Sequence, residues 1–248
     1  MTDWIRGRIS RRTAWNATHF SLHIDCEHPP FTAGQFVRIA LDIDGERIAR
    51  PYSCVNPPST AGVEILFNTI PEGPLSNRLA QLQVGEEVWV GDSANGFLTL
   101  DEVPAHARDL WMVATGTGVG PFLSILQTDE PWQRFERVIL AYGVHDLSCI
   151  TYPDLLDQLL DRQHQRLKVI PCVSSETPRP GFHGRVTDAL TSGRLETLAA
   201  REIDPLHSHF MLCGNKAMIA DMSEALQARG LSKHLRREPG QISSEKYH

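Results

Sequence analysis

The sequence predicts two domains of different class: an antiparallel β-barrel over residues 1–102, followed by an α/β doubly wound parallel-sheet domain over residues 103–248. Three observations predict this. The first hundred residues carry short runs of alternating polarity separated by Gly, Pro and Asp turns. After Pro104, continuous apolar runs alternate with helical segments, the signature of buried parallel strands. A glycine-rich turn, Thr115-Gly116-Thr117-Gly118-Val119-Gly120-Pro121, joins the first of those strands to a helix.

In the first domain the candidate strands are Trp4–Ser10, His19–Asp25, Gln35–Ile43, Arg50–Val55, Val63–Thr69 and Glu86–Gly91. Turn signals separate them: His28-Pro29-Pro30, Asp44-Gly45, Asn56-Pro57-Pro58 and Pro71-Glu72-Gly73. In GQFVRIALDI, Phe36, Arg38, Ala40 and Asp42 oppose Val37, Ile39, Leu41 and Ile43, as in a half-buried strand. A short helix is expected over Asn77–Leu82 with Ser76 as its N-cap. Strands at this spacing suit a small barrel.

In the second domain Leu110–Gly116 reads as a buried strand, and GPFLSILQ as a helix with Pro121 in its first turn. The cycle continues through strand Arg137–Tyr142, helix Pro153–His164, strand Leu167–Val173, helix Thr187–Thr191, strand His209–Cys213 and helix Lys216–Arg229. Tyr247 and His248 are too few to form an element and are expected to fray.

Composition excludes several functions. The 248 residues are 41% hydrophobic and 22% charged, with net charge −6 and pI near 6.0, which argues against wholesale nucleic-acid binding. No apolar run approaches the length of a membrane helix. The segment MTDWIRGRISRR has no apolar core between its charges and does not read as a secretory signal, so a cytoplasmic location is expected. The five cysteines, Cys26, Cys54, Cys149, Cys172 and Cys213, form no CxxC pair and are odd in number. A disulfide framework, an iron–sulfur cluster and a zinc site are therefore not expected. If this protein moves electrons, an organic cofactor must carry them.

Two motifs carry chemistry. The glycine loop follows a buried strand and opens a helix, where backbone N–H groups can meet a phosphate. Its spacing departs from the usual dinucleotide fingerprint, because Pro121 stands where a third glycine would fall. Such a loop also serves as a plain tight turn. The second motif is Arg50-Pro51-Tyr52-Ser53. Alternation puts Arg50, Tyr52 and Cys54 on one strand face, pairing a phosphate-binding fork with an aromatic ring. Taken alone, that pair could simply decorate a barrel.

Together the motifs resemble the ferredoxin–NADP⁺ reductase family. FTAGQF (Phe31–Phe36), RPYS, PLS (Pro74–Ser76), GF (Gly96–Phe97), ATGTGVGPFLSIL (Ala114–Leu126), LCGN (Leu212–Asn215) and Tyr247 fall in that family's order. KHLRR (Lys233–Arg237) and a chain ending near Tyr247 resemble its bacterial ferredoxin/flavodoxin members. The resemblance implies an FAD enzyme that exchanges hydride with NADP(H) and single electrons with ferredoxin or flavodoxin, working as a monomer. It implies that Arg50, Pro51, Tyr52 and Ser53 hold FAD, with Arg50 at the pyrophosphate, Tyr52 on the ring and Ser53 near the reactive nitrogen. Phe67, Asn68 and Thr69 would line the polar edge, and Pro74, Leu75 and Ser76 would meet the pyrophosphate. Thr117 would touch both cofactors, while Cys213 and Glu245 would sit where the nicotinamide enters. Without the resemblance, Cys213 reads as a strand-end core thiol. Tyr247 and His248 would cover the FAD, although relatives often end in tryptophan and His248 is a smaller ring.

For NADP, the resemblance implies Gly118, Val144, His145, Ser174, Ser175, Arg185, Asn215 and Lys216. Here the chain departs from the family. Relatives place arginines after the second and third α/β strands; this chain has His145 and Ser175, and keeps Arg185. Arg179 and Lys216 could compensate. A weakened NADPH preference with use of NAD(H) follows as an expectation. Rival readings are an NAD(P)H:flavin oxidoreductase that treats flavin as a loose substrate, and a non-enzymatic nucleotide-binding module. A basic face for an acidic partner could come from Arg6, Arg8, Arg11 and Arg12, or from Lys233, His234, Arg236 and Arg237.

Overall fold

A computed structural model describes residues 3–28 and 30–247. Pro29, within one expected turn, and His248 lie outside the described residues. The chain forms two compact units, Met1–Thr99 with Gly120–Thr128, and Leu100–Val119 with Asp129–His248.

The first unit contains β1 (Trp4–Ala14), β2 (His19–Asp25), β3 (Phe36–Ile43), β4 (Glu46–Ser53), β5 (Val63–Asn68), α1 (Pro74–Gln81) and β6 (Glu87–Gly91). The strands make one antiparallel sheet in the order β4-β3-β6-β1-β2-β5. A bridge between Cys54 and Ile65 joins its two edges, so the sheet curls into a barrel. Ile9, Leu22, Ile24, Val37, Ile39 and Ile65 fill the inside. β4 begins four residues before the expected Arg50. The reason is local: Asp44 and Gly45 both take positive φ, 51° and 84°, the geometry of a two-residue hairpin, so pairing resumes at Ile43–Glu46.

α1 also starts early. Gly73 occupies the N-cap position and Pro74 begins the helix, because proline's fixed φ suits the first turn and its missing N–H costs nothing there. Ser76 is therefore not the cap. Its buried hydroxyl lies inside the first turn, accepting from the Ile70 N–H (3.4 Å) and donating to the Gly73 carbonyl (3.4 Å).

The second unit contains β7 (Asp109–Thr115), a 3-10 turn over Gly116–Val119, α3 (Glu130–Arg134), β8 (Arg137–Val144), α4 (Pro153–Gln163), β9 (Leu167–Val173), β10 (Phe182–His183), α5 (Val186–Thr191), α6 (Arg194–Ala199), β11 (Ser208–Gly214), α7 (Lys216–Gln227) and β12 (Ile242–Lys246). The intervening α2 (Gly120–Leu126) falls within the first unit. The parallel sheet runs β10-β9-β8-β7-β11-β12. Trp111 and Phe210 stack across β7 and β11 at 5.4 Å, worth about 1 kcal/mol beyond their burial. α5, α6 and α7 bury their apolar sides on one sheet face. β10, β12, α3 and α6 were not foreseen from sequence. ISSEK has one apolar residue and is an edge strand, so it carries no hydrophobic pattern to read. Among the described residues, no helix is long and apolar enough to cross a membrane.

Candidate active site

In the first unit the site grows from the register of β4 on β3. Arg50 pairs with Ile39 and Tyr52 with Val37, so both lie on one face of β4, while Pro51 pairs with Arg38 on the other. Arg50 is exposed; its guanidinium donates to the Ala49 carbonyl (2.8 Å) and makes no ion pair among the described residues. A guanidinium carries N–H donors in a fork that suits phosphate oxygens. Tyr52 is half-buried, its ring edge-on to Phe67 at 6.0 Å. Burial pushes its phenol up to about 12, with the Arg50 charge pulling the other way. Phe67 is itself buried and lies 6.0 Å from Phe20, so its ring braces Tyr52 rather than facing solvent. Ser53 is buried at the end of β4.

Asn68 and Thr69 follow Phe67, and the next residue, Ile70, is tied to the start of α1 through Ser76 and through Asn77 (3.1 Å). This brings the Phe67–Thr69 segment to the helix that holds Pro74, Leu75 and Ser76. Pro74 has no N–H, and the Asn77 N–H is spent on Gly73. The amides of Leu75 and Ser76 remain outside the helical ladder. Arg50 and these two amides form a donor set suited to a dinucleotide pyrophosphate, and Tyr52 adds a ring beside it. The residues fit FAD.

Asn56 is a positioning residue that the sequence reading did not single out. Its side chain is buried, accepts from the Glu64 N–H (2.7 Å) and donates to the Gly62 carbonyl (3.2 Å). Ser124 of α2 donates to the Asn56 carbonyl (2.7 Å). This fixes the chain just beyond Ser53. An asparagine before Pro-Pro was the available signal.

In the second unit the site lies at the carboxyl ends of the parallel strands. The chain leaves β7 toward β8 on one side and pairs with β11 on the other, so the crevice between β7 and β11 is a topological switch point, where such sheets bind ligands. Gly118 packs directly on β11: a Cβ there would stand 2.4 Å from the Cys213 carbonyl oxygen. Gly116 has φ +53°, and a Cβ there would meet nothing within 4 Å. Backbone thus borders open space at Gly116, as a nucleotide's phosphates require. Thr117 is half-exposed between them. The residues fit a nicotinamide nucleotide.

Parallel pairing brings Cys213 beside Glu245, and Gly214 beside Lys246. Cys213 is fully buried; desolvation first, then the Glu245 charge, push its thiol well above the ordinary value, and a hydrogen bond with Tyr247 opposes this. It is a neutral thiol. Tyr247 does not fray: its N–H donates to the Gly214 carbonyl (2.9 Å). His248 lies outside the described residues. Asn215 caps α7 by accepting from the Met218 N–H (2.8 Å), and Lys216 is exposed at the helix start.

Val144 ends β8, and the chain continues into His145. The Ser174 N–H donates to the Val144 carbonyl (3.2 Å), the Ser175 N–H to the His145 carbonyl (2.9 Å), and the His145 ring meets the Ser174 hydroxyl at 3.3 Å. His145 and Ser175 therefore adjoin. β10 pairs with the end of β9, and Arg185 follows it, exposed, at the start of α5.

The two basic clusters are largely engaged within their own units. Arg6 and Arg8 approach Glu87 (3.7 and 3.6 Å), and Arg11 meets Glu64 (2.9 Å). His234 and Arg236 both meet Glu102 (3.3 and 3.2 Å).

Comparison with known proteins assigns both parts of the chain to known domain families. Residues 8–93 match the oxidoreductase FAD-binding domain model and residues 112–224 the oxidoreductase NAD-binding domain model. The flavodoxin/ferredoxin–NADP reductase of Escherichia coli is 41% identical over 221 residues, covering 89% of each chain. That of Buchnera aphidicola subsp. Schizaphis graminum is 38% identical over 100% of each chain. A crystal structure of a ferredoxin NADP⁺ reductase from Neisseria gonorrhoeae with bound FAD and NADP superposes with a TM-score of 0.92 over 98% of each chain, at 29% identity.

Proposed function

We propose how this chain, which belongs to the flavodoxin/ferredoxin–NADP reductase family, divides its work: residues 1–102 hold FAD, residues 103–248 hold NADP(H), and electrons pass between the nucleotide and a ferredoxin or flavodoxin. The observation that carries this reading is Arg50, without a carboxylate partner among the described residues, on the same face of β4 as the half-buried Tyr52. The chemistry supplied by bound FAD is the exchange of a hydride on one side for single electrons on the other.

This chain's residues bind and orient. Arg50 would offset pyrophosphate charge, and the amides of Leu75 and Ser76 would donate hydrogen bonds to it. Tyr52, braced by Phe67, would offer its ring to the flavin, Asn68 and Thr69 would offer polar groups to it, and Ser53 would supply a hydroxyl. Gly116, Thr117 and Gly118 admit the nucleotide phosphates, and Asn215 and Lys216 flank them. Cys213, Glu245 and Tyr247 form the nicotinamide end, where the buried thiol stays neutral. His145, Ser174, Ser175 and Arg185 read the far phosphate, with Val144 beneath them. Because only Arg185 among these is a fixed cation, preference for NADPH over NADH is weakened. A monomeric state and a cytoplasmic location belong to the same proposal.

Anaerobic titration of the yellow protein with NADPH and NADH tests the core of this reading. FAD should remain through purification, and both nucleotides should bleach it. Loss of flavin on desalting, with activity restored by free flavin, would point instead to a flavin reductase.

A further inference from the structure

A cleft of about 640 Å³ opens at the amino-terminal ends of β8 and β9, at the opposite end of the strands from the glycine loop. Its wall carries Arg137, His164, Arg166, Lys168 and Arg201, against one carboxylate, Glu136. Strand pairing explains the gathering. Lys168 pairs with Ile139, two residues from Arg137, so Arg137 and Lys168 emerge on the same sheet face. α6 ends over that face in Ala199 and Ala200, and these small side chains leave the space open.

The charges do not cancel. Arg201 is committed to Asp109 (2.8 Å) and Glu136 (3.1 Å), and Arg108 also approaches Glu136 (3.8 Å). Arg137, Arg166 and Lys168 make no ion pair among the described residues; Arg166 donates only to the Trp132 carbonyl. α4 and α6 also end here, and a helix C-terminus carries roughly half a negative charge. Two such ends offset about one of three cations. A positive excess remains in a chain whose net charge is −6, in a cleft of the size that holds small ligands.

We propose that this cleft binds a small polyanion bearing two or more phosphate or carboxylate groups, at a site separate from the nucleotide site. Arg137 and Arg166 supply forks for the anionic oxygens and Lys168 a point charge. Binding here does not displace the nucleotide.

The test uses the FAD-loaded protein saturated with NADP⁺, so that the nucleotide site is occupied. Inorganic pyrophosphate and citrate are titrated separately by calorimetry at low salt, where screening is weak. One saturable event is expected, and Lys168→Glu should weaken it by about tenfold or more. Arg137→Gln, at an exposed side chain, keeps the test open should Lys168→Glu fail to fold. Binding of pyrophosphate alone assigns a phosphate ligand, and of citrate alone a carboxylate ligand. Absence of saturable binding by either anion overturns the proposal, as does unchanged affinity in both variants. A lowered melting temperature in the variants, with no anion binding by the unaltered protein, would mean that these cations serve only the carbonyl ends of α4 and α6.

Discussion

The residues proposed for FAD and those proposed for the far phosphate of the nucleotide are held in opposite ways. Arg50, Tyr52 and Phe67 lie inside paired strands, and Tyr52 rests on a buried ring. His145, Ser174, Ser175 and Arg185 lie just past strand ends, exposed, and fixed mainly by backbone bonds. The contrast matches two tasks. If FAD is kept through turnover, sheet register would suit it, because register cannot slip without flipping every side chain to the other face. A nucleotide that leaves each cycle would suit exposed groups whose identity can change at little cost to folding.

The sharpest way to break the nucleotide side alone is Gly118→Ala. The new Cβ would stand 2.4 Å from backbone of β11, so the loop must move, and a misplacement near 1 Å can cost on the order of a hundredfold in kcat/KM. The flavin spectrum should stay as it is. Retained activity with both nucleotides would show that the loop yields and that its close packing is not needed. Gly116→Ala is the companion: it meets no atom and costs only the left-handed backbone, about 1–2 kcal/mol.

Tyr52→Ala tests the opposite side. Losing a stacked ring costs about 1–3 kcal/mol, roughly 5–150-fold faster loss of FAD on dilution, with the fold kept. Unchanged retention would remove Tyr52 from the site. Its burial has a pH consequence. The folded phenol is held neutral to about 12, against an ordinary 10, so the unfolded chain loses this proton first and stability falls as pH rises from 10 toward 12. Tyr52→Phe should flatten that fall by at most about 1.4 kcal/mol per pH unit, read from denaturant unfolding at fixed pH.

His145→Arg sharpens the comparison from the exposed side. A charged hydrogen bond is worth about 1.5–3 kcal/mol, so kcat/KM for NADPH relative to NADH should rise about tenfold while Tm stays nearly constant. An unaltered enzyme that already favours NADPH by more than about a thousandfold would mean that Arg185 and its neighbours suffice. The smallest effect is expected from deleting Tyr247 and His248. The deletion removes the Tyr247–Gly214 hydrogen bond, worth about 1 kcal/mol, and should change KM for both nucleotides several-fold. Wild-type kinetics and flavin fluorescence would leave the tail without a role.

Much of the framework of the candidate site was legible because its elements are local. RPYS and the glycine loop are each contiguous, and a strand's two-residue period predicts which side chains share a face. The parts that were missed are those where the local pattern is silent or misleading. Ser76 looked like a cap because serine favours that position, but Pro74 had already begun the helix. Asn56 was passed over as turn punctuation, although its three-way bonding is what fixes the end of the motif.

By itself the sequence determined the order of a barrel and a wound sheet, the fork and ring of β4, and the glycine loop, since each follows from hydrophobic period and turn chemistry within a short window. Only the tertiary structure decided which distant residues meet. His145 adjoins Ser174, and Cys213 lies beside Glu245, because neighbouring parallel strands are joined through crossovers whose length leaves no periodic trace. The same holds for β12 and Tyr247: a polar edge strand gains its order from hydrogen bonds to β11, which are supplied by the backbone and are therefore invisible in the identity of the side chains.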